Sequence, residues 1–505
     1  MPHKPPEPPF ETRSAAEKAG GAPPVQRDRP PAAGRPGVVR TLLVYLAMLA
    51  ITAVIFFVIR SLGESRLGGP ATAAQAAAAL AEPKASAAAT KPGADVLRHV
   101  LLALAAVIAL GRVLGGILRY VGQPPVIGEV LAGILLGPSL LGWLSPAAAQ
   151  ALLPASAAPY LGVLAQIGVI FYMFVVGLEF DAGLLAQRGH AALAISHASI
   201  LAPFLCGVLL ALAIYERLAP PGVTFTAFAL FLGVAMSITA FPVLARILTD
   251  RGMNRTPLGM LALCCAAVDD VTAWCLLAMV VGVATAHAGS VLVVIALTIG
   301  YALVMLLVVR PLLVRYGRRL LASEGEPLGM TIIFVALLLS AAATEWIGIH
   351  AIFGGFLLGV IIPHESGLAR GLGDRLSAVV AALLLPAFFA FTGMRTEIWL
   401  LSDFWLWLWC GLIIVVATVG KLGGTMIAAR LTGLGMRESA GLGVLMNTRG
   451  LMELVVLNIG LDLGVISPTL FTMMVVMAIV TTLATSPALH WILPREEGQR
   501  PQATG

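Results

Sequence analysis

Long apolar runs separated by short arginine-bearing connections set the rhythm of this chain. From residue 97 they come in close succession, near 97–117, 125–142, 160–178, 191–215, 225–248, 258–286, 290–313, 328–347, 350–363, 376–394, 403–428, 440–461 and 468–492. Most approach the roughly 20 residues that a helix needs to cross the hydrocarbon of a bilayer. The run at 350–363 is short, which predicts a tilted helix, a broken one, or one extended into its flanks. An earlier run at 41–59 stands apart. It exceeds the ~7–15 residues of a signal-peptide core and follows a long basic leader, so an uncleaved anchor over 41–60 is favoured. Small residues near Ala74–Ala79 keep a cleaved signal peptide open. The expected architecture is an all-α polytopic membrane protein, with thirteen core spans over 97–492 and one anchor helix ahead of them. Residues 1–40, rich in Pro, Gly, Arg and Ala without periodicity, are expected to be a disordered tail. Residues 61–96 read as an Ala/Gly/Pro linker and 493–505 as a short tail.

Orientation follows from the loops. Every second connection carries arginine: Arg112 and Arg119; Arg188; Arg246, Arg251 and Arg255; Arg310, Arg315, Arg318 and Arg319; Arg370 and Arg375; Arg430 and Arg437; then Arg495 and Arg500. The alternate connections hold almost none, only Arg217 and, at a span edge, Arg395. This is the positive-inside pattern, and it predicts both termini in the cytoplasm.

Composition agrees. Of 505 residues, 59% are hydrophobic and 11% charged, against about 25% charged in a soluble domain. Lipid must therefore be the solvent for most of the chain. The net charge of +6 reads as loop arginines facing anionic headgroups, not as a nucleic-acid surface. The five cysteines, Cys206, Cys264, Cys265, Cys275 and Cys410, all sit in apolar runs and read as small buried hydrophobes. No resident metal or cofactor is expected.

Ionisable groups inside the spans each need a reason, since one costs about 2.5 to 3.5 kcal/mol on insertion scales. Asp269 and Asp270 are adjacent within Cys264–Val271. Neighbours on a helix point about 100° apart, so the two acids cannot share one partner. Beyond Lys91 the chain holds a single lysine, Lys421, in the middle of the 403–428 run. A compact ammonium there suits a group whose protonation can change. The expectation is that Lys421 neutralises Asp269 and leaves Asp270 free. The plain alternative is a buried pair that only fixes helix packing.

Two further stretches predict interrupted helices. One is Ser237-Ile238-Thr239-Ala240-Phe241-Pro242, where Pro242 removes a backbone donor and Thr239 can serve as a local partner. The other is Met446-Asn447-Thr448-Arg449-Gly450. The loop pattern gives these two spans opposite orientations, and paired interrupted helices point to a transporter binding site. Arg449 and Glu453, four apart, fit an intrahelical pair. Glu179 and Asp181 at the end of the 160–178 run read either as part of an ion pathway or as an interface cap. Glu129 suits a helix N-terminus. Arg395 reads as a gate at the outer mouth or as a snorkelling side chain, and His197 and His350 as satisfied core or edge residues.

In these residues the chain resembles the monovalent cation:proton antiporter-2 family, which holds Kef-type bacterial antiporters and plant cation/proton exchangers. The matching stretches, in order, are Gln123–Gly142, Phe171–Asp181, Ser237–Leu248, Ala266–Trp274, His350–Pro363, Leu385–Thr396 and Asn447–Gly460. The resemblance implies a sodium/proton antiporter fold with inverted repeats, two crossed discontinuous helices and a separate dimerisation domain, hence a homodimer. It implies that Asp270 matches the ion- and proton-carrying aspartate, and Asp269 a preceding position that is Asn in many members. Lys421 matches a lysine that pairs with that acid in two-aspartate bacterial members, which tend to be electrogenic. Thr239 matches the unwound crossing segment. The Leu385–Thr396 and Asn447–Gly460 stretches look plant-like and lean toward K⁺; the Asp doublet leans toward Na⁺-type members. Kef-type members often append a nucleotide-binding domain, and none is expected in a chain that stops a dozen residues past its last span.

The function expected is therefore a secondary antiporter, not an enzyme, exchanging Na⁺ or K⁺ for protons in a bacterial inner membrane for pH and cation homeostasis. A proton-uncoupled channel and a solute symporter are the alternatives. An intramembrane aspartyl protease is disfavoured, because the Gly371-Leu372-Gly373-Asp374 string lies in an arginine-flanked loop without a partner acid.

Overall fold

The structure is a computed structural model describing residues 38–66, 94–154, 156–179, 182–253, 256–285, 291–321, 327–362 and 367–493. Most of the expected tail (1–37), most of the linker (67–93), the last residues (494–505), Arg255 and Asp181 lie outside the described residues. The chain divides into two units, Met1–Ala47 and Met48–Gly505, and everything below, apart from the first residues of the first helix, concerns the second.

The helices, in chain order, are α1 (Val38–Arg66), α2 (Ala94–Tyr120), α3 (Val126–Leu136), α4 (Pro146–Leu152), α5 (Ala158–Glu179) and α6 (Ala182–Leu218). Then come α7 (Phe225–Ser237), α8 (Phe241–Asp250), α9 (Pro257–Thr285), α10 (Val291–Val304), α11 (Arg310–Leu321) and α12 (Pro327–Ile347). The last are α13 (Ala351–Ile361), α14 (Gly367–Val379), α15 (Leu385–Arg395), α16 (Phe404–Leu431), α17 (Met436–Met446), α18 (Leu451–Asp462) and α19 (Pro468–Ile492). There is no strand among the described residues. Among the described residues, eleven helices are long and apolar enough to cross a membrane, or twelve when the bent pair α17–α18 counts as one. Two shorter apolar helices, Val126–Gly142 and Ala351–Ile361, occupy the remaining runs of the sequence. The helix over the first apolar run is longer than 41–60: α1 continues through Ser61–Arg66, where Arg60 and Glu64 pair at 2.9 Å one turn apart.

Helix starts follow local chemistry. Thr224 accepts from the Ala227 amide at the head of α7, and Ser467 accepts from Leu470 at the head of α19, where Pro468 occupies a position that has no amide partner to lose. The Glu438 carboxylate reaches back to the Gly435 amide ahead of α17.

Packing separates the membrane helices into two bundles. One holds α2, α3, α5, α12, α13 and α15. The other holds α6, the broken pair α7–α8, α9, α16, the broken pair α17–α18, and α19. The second bundle is thus two sets in the same order: a long helix, a broken helix, then another helix. The first bundle is tightened by glycine: a Cβ on Gly393 would fall 2.0 Å from the Gly133 carbonyl carbon. Such contact lets backbones approach where lipid offers no hydrophobic drive. The α10–α11 stretch lies outside both bundles, its span only 6% buried, whereas the Phe225–Asp250 span is 89% buried. The broken helix α7–α8 therefore forms the centre of the molecule.

Candidate functional site

Two helix interruptions meet at that centre. Residues Ile238–Ala240 leave the helical conformation, with Ile238 and Ala240 extended, and Pro242 sits within the first two positions of α8. Residues Thr448–Gly450 do the same between α17 and α18, where the chain bends by 44°. The breaks touch directly: the Ala240 amide donates to Thr448 O at 2.9 Å. Gly450 is required by the approach, since a Cβ there would stand 2.7 Å from Val243 Cγ2.

Each interruption exposes backbone groups that a continuous helix would pair. In a buried centre they need other partners, and the sequence supplies cations. Arg449 donates through Nη1 to Ala235 O at 3.0 Å and through Nη2 to Met236 O at 2.6 Å. Lys421 Nζ donates to Ser237 O at 2.6 Å. The C-terminal end of α7 therefore holds two positive charges, the sign that its dipole favours. On the other break, Arg449 N donates to Thr482 Oγ1 at 3.2 Å.

The acids lie on α9. Asp269 is fully buried and surrounded by donors: Ser196 Oγ at 2.5 Å on Oδ1, and on Oδ2 Ser199 Oγ at 2.7 Å, Thr239 Oγ1 at 2.8 Å and Lys421 Nζ at 3.0 Å. Thr239 also stands 3.1 Å from Met446 O, and its single proton serves one acceptor at a time. Asp270 is equally sequestered, at 4% exposure, yet its Oδ1 finds no hydrogen-bond partner among the described residues. The Oδ1 of Asn447, in the second break, is likewise buried without one. Arg449 Nη1 meets Glu453 Oε2 at 2.7 Å, with both side chains wholly buried. Fully ionised, the cluster sets Lys421 and Arg449 against Asp269, Asp270 and Glu453: two positive charges against three negative. The excess is one negative charge.

Asp269, Asp270, Lys421, Thr239, Asn447, Thr448, Arg449, Gly450 and Glu453 thus come together at or around the crossing, with Pro242 opening α8 beside it. Arg395 belongs elsewhere, pairing with Asp462 at 2.6 Å where α15 and α18 end. Glu179 closes α5. His197 bonds to Leu193 O, as an edge residue does. His350 departs from the expectation of a satisfied side chain: its Nδ1 is buried with no hydrogen-bond partner among the described residues, in a left-handed turn at φ 81° between α12 and α13. Cys264, Cys265 and Cys410 are buried, but Cys275 is exposed on α9, so the apolar run there includes an outward face. Sequence reasoning missed Ser196 and Ser199, three apart on α6, and missed Asp462 and Asn458. A pair of hydroxyls at helical spacing was the only available signal.

Crossed broken helices around buried charges define a secondary transporter. The family model described as "Sodium/hydrogen exchanger, transmembrane" matches residues 102–494. The chain belongs to the sodium/hydrogen exchanger family. It is 46% identical over 406 residues to the Na(+)/H(+) antiporter NhaS4 of Synechocystis, an alignment spanning 79% of this chain and 98% of that one. It is 40% identical over 407 residues to Cation/H(+) antiporter 17 of Arabidopsis thaliana, covering 78% of this chain and 49% of the relative. With K(+)/H(+) antiporter 1 of Saccharomyces cerevisiae the identity is 33% over 383 residues, covering 74% and 44%. The chain spans about half the length of these plant and yeast relatives. The solved sodium proton antiporter MjNhaP1 of Methanocaldococcus jannaschii shares the fold, at a TM-score of 0.57 and 14% identity over 78% of this chain and 96% of that one.

Proposed function

We propose that this antiporter exchanges a monovalent cation, Na⁺ or K⁺, for protons by letting the two compete for Asp270. The observation that carries the reading is the buried, unpartnered Oδ1 of Asp270 in a cluster with one negative charge in excess. A bare buried charge is costly, so the cluster favours either a bound proton or a bound cation. Neither the empty charged site nor the doubly occupied one crosses easily. Asn447, Thr239 and the opened backbone of the two breaks supply oxygen at the helix crossing, as hard cations require. Asp269 is held by Lys421 and three hydroxyls and acts beside Asp270. If Lys421 loses a proton when a cation binds, exchange is electrogenic; if it stays charged, exchange is electroneutral.

The relatives named for Na⁺/H⁺, K⁺/H⁺ and cation/H⁺ antiport support exchange here. We place the protein as a homodimer in a bacterial inner membrane, with cytoplasmic termini following the arginine pattern. The bundle with α2, α3 and α5 serves as scaffold, and the other moves against it. The protein works as a transporter.

The test is proton flux in proteoliposomes carrying an internal pH dye, challenged in turn with Na⁺, K⁺ and Li⁺, with and without a voltage clamp. Cation-driven proton movement that disappears in Asp270→Asn is expected. Cation-dependent proton flux that survives in Asp270→Asn would falsify the mechanism, and cation flux without proton movement would make the protein a channel.

A further inference from the structure

At the end of the molecule away from most of the arginine-rich connections, α15 of the first bundle finishes at Arg395 and α18 of the second at Asp462. Arg395 Nη2 lies 2.6 Å from Asp462 Oδ1, and Nη1 donates to Asn458 Oδ1 at 3.3 Å. Asn458 Nδ2 returns a bond to Thr392 Oγ1 at 2.9 Å. Every one of these contacts runs from one bundle to the other. Asn458 both accepts from Arg395 and donates to Thr392, so it links the two contacts.

The surroundings suit a contact that opens. The Arg395 and Asp462 side chains are 27% and 37% exposed, so water can replace either partner. The guanidinium also lies over the Phe391 ring, 4.1 Å from its centre, on the same helix. Arg395 thus keeps a resting place in its own bundle when Asp462 leaves. The pair borders a cavity of about 600 Å³ lined from both sides, by Gln166, Glu345 and His350 of one bundle and by Ile459 and Asp462 of the other.

We propose that Arg395, Asp462, Asn458 and Thr392 form a releasable latch between the bundles, whose opening extends this cavity toward the helix crossing. The latch rests on the reading that one bundle moves against the other. It sets how often the site faces this side, while Asp270 sets what is carried. These four are positioning residues for that movement. A latch that is loosened shifts the population toward the state open on this face.

The experiment offers cation to each face of proteoliposomes separately, comparing the native chain with Arg395→Gln, Asp462→Asn and the exchanged pair Arg395→Asp with Asp462→Arg. Either single variant keeps coupled exchange. Its apparent cation affinity tightens from the latch face and weakens from the opposite face by about two- to fivefold, the shift expected on losing one half-exposed ion pair. The exchanged pair returns both values toward native. Unchanged affinities on both faces, or an equal loss on both faces without recovery in the exchanged pair, would overturn the latch. If a charge variant fails to fold, Thr392→Val removes only the acceptor for Asn458 and is read by the same asymmetry. Loss of coupling in the native chain would count against the exchange reading instead.

Discussion

The ion pairs at the helix crossing and the pair at the ends of α15 and α18 use similar chemistry at similar distances. Lys421–Asp269 is 3.0 Å and Arg449–Glu453 is 2.7 Å, both with fully buried side chains; Arg395–Asp462 is 2.6 Å and partly exposed. Distance does not distinguish them; surroundings do. The buried cations also satisfy carbonyl oxygens that the broken helix α7 leaves open, so removing one leaves buried oxygen without its donor, one carbonyl for Lys421 and two for Arg449. The exposed pair has water as its alternative. Similar ion pairs therefore hold a structure permanently in one place and hold it reversibly in the other.

This contrast can be broken most sharply at Arg449. Arg449→Gln should cost about 3–5 kcal/mol of stability, because Glu453 stays buried without its cation. A thermal unfolding midpoint close to native in detergent would mean that the pair is not structural. Lys421→Gln should fall toward the lower end of the same range, about 3 kcal/mol, since Asp269 keeps three hydroxyl donors. Its proton flux under voltage clamp also reports whether the lysine takes part in charge movement. Ser199→Ala should cost about 1–3 kcal/mol, leaving one donor fewer on a buried carboxylate. An unchanged midpoint there would show that Ser196 and Thr239 suffice. Asp462→Asn should cost no more than about 1 kcal/mol. A larger loss would erase the distinction between the two regions.

Much of this was legible in the chain because lipid is an unforgiving solvent. Each apolar run of the sequence carries a helix, and Asp269, Asp270, Lys421 and Arg449 stood out because charge inside a span needs a cause. Pro242 and Gly450 marked the breaks through backbone chemistry that acts locally. The rest depended on which helices meet. Ser196 and Ser199 are ordinary residues in a long helix until Asp269 is set against them. Asp462 carries no signal of its own in the sequence, and only the arrival of α15 makes it half of a contact. His350 read as a satisfied core or edge histidine, and its Nδ1 has no hydrogen-bond partner among the described residues.

Arg449 sits just before α18 yet grips the end of α7. A side chain rooted in one repeat that fastens the backbone of the other works as a rivet through the crossing. With the rivet in place, neither interrupted helix can slide, rewind or tilt without dragging its counterpart. On the proposed mechanism, motion during transport then falls to the seam between the bundles, and the ion travels inside a part of the molecule that keeps its shape.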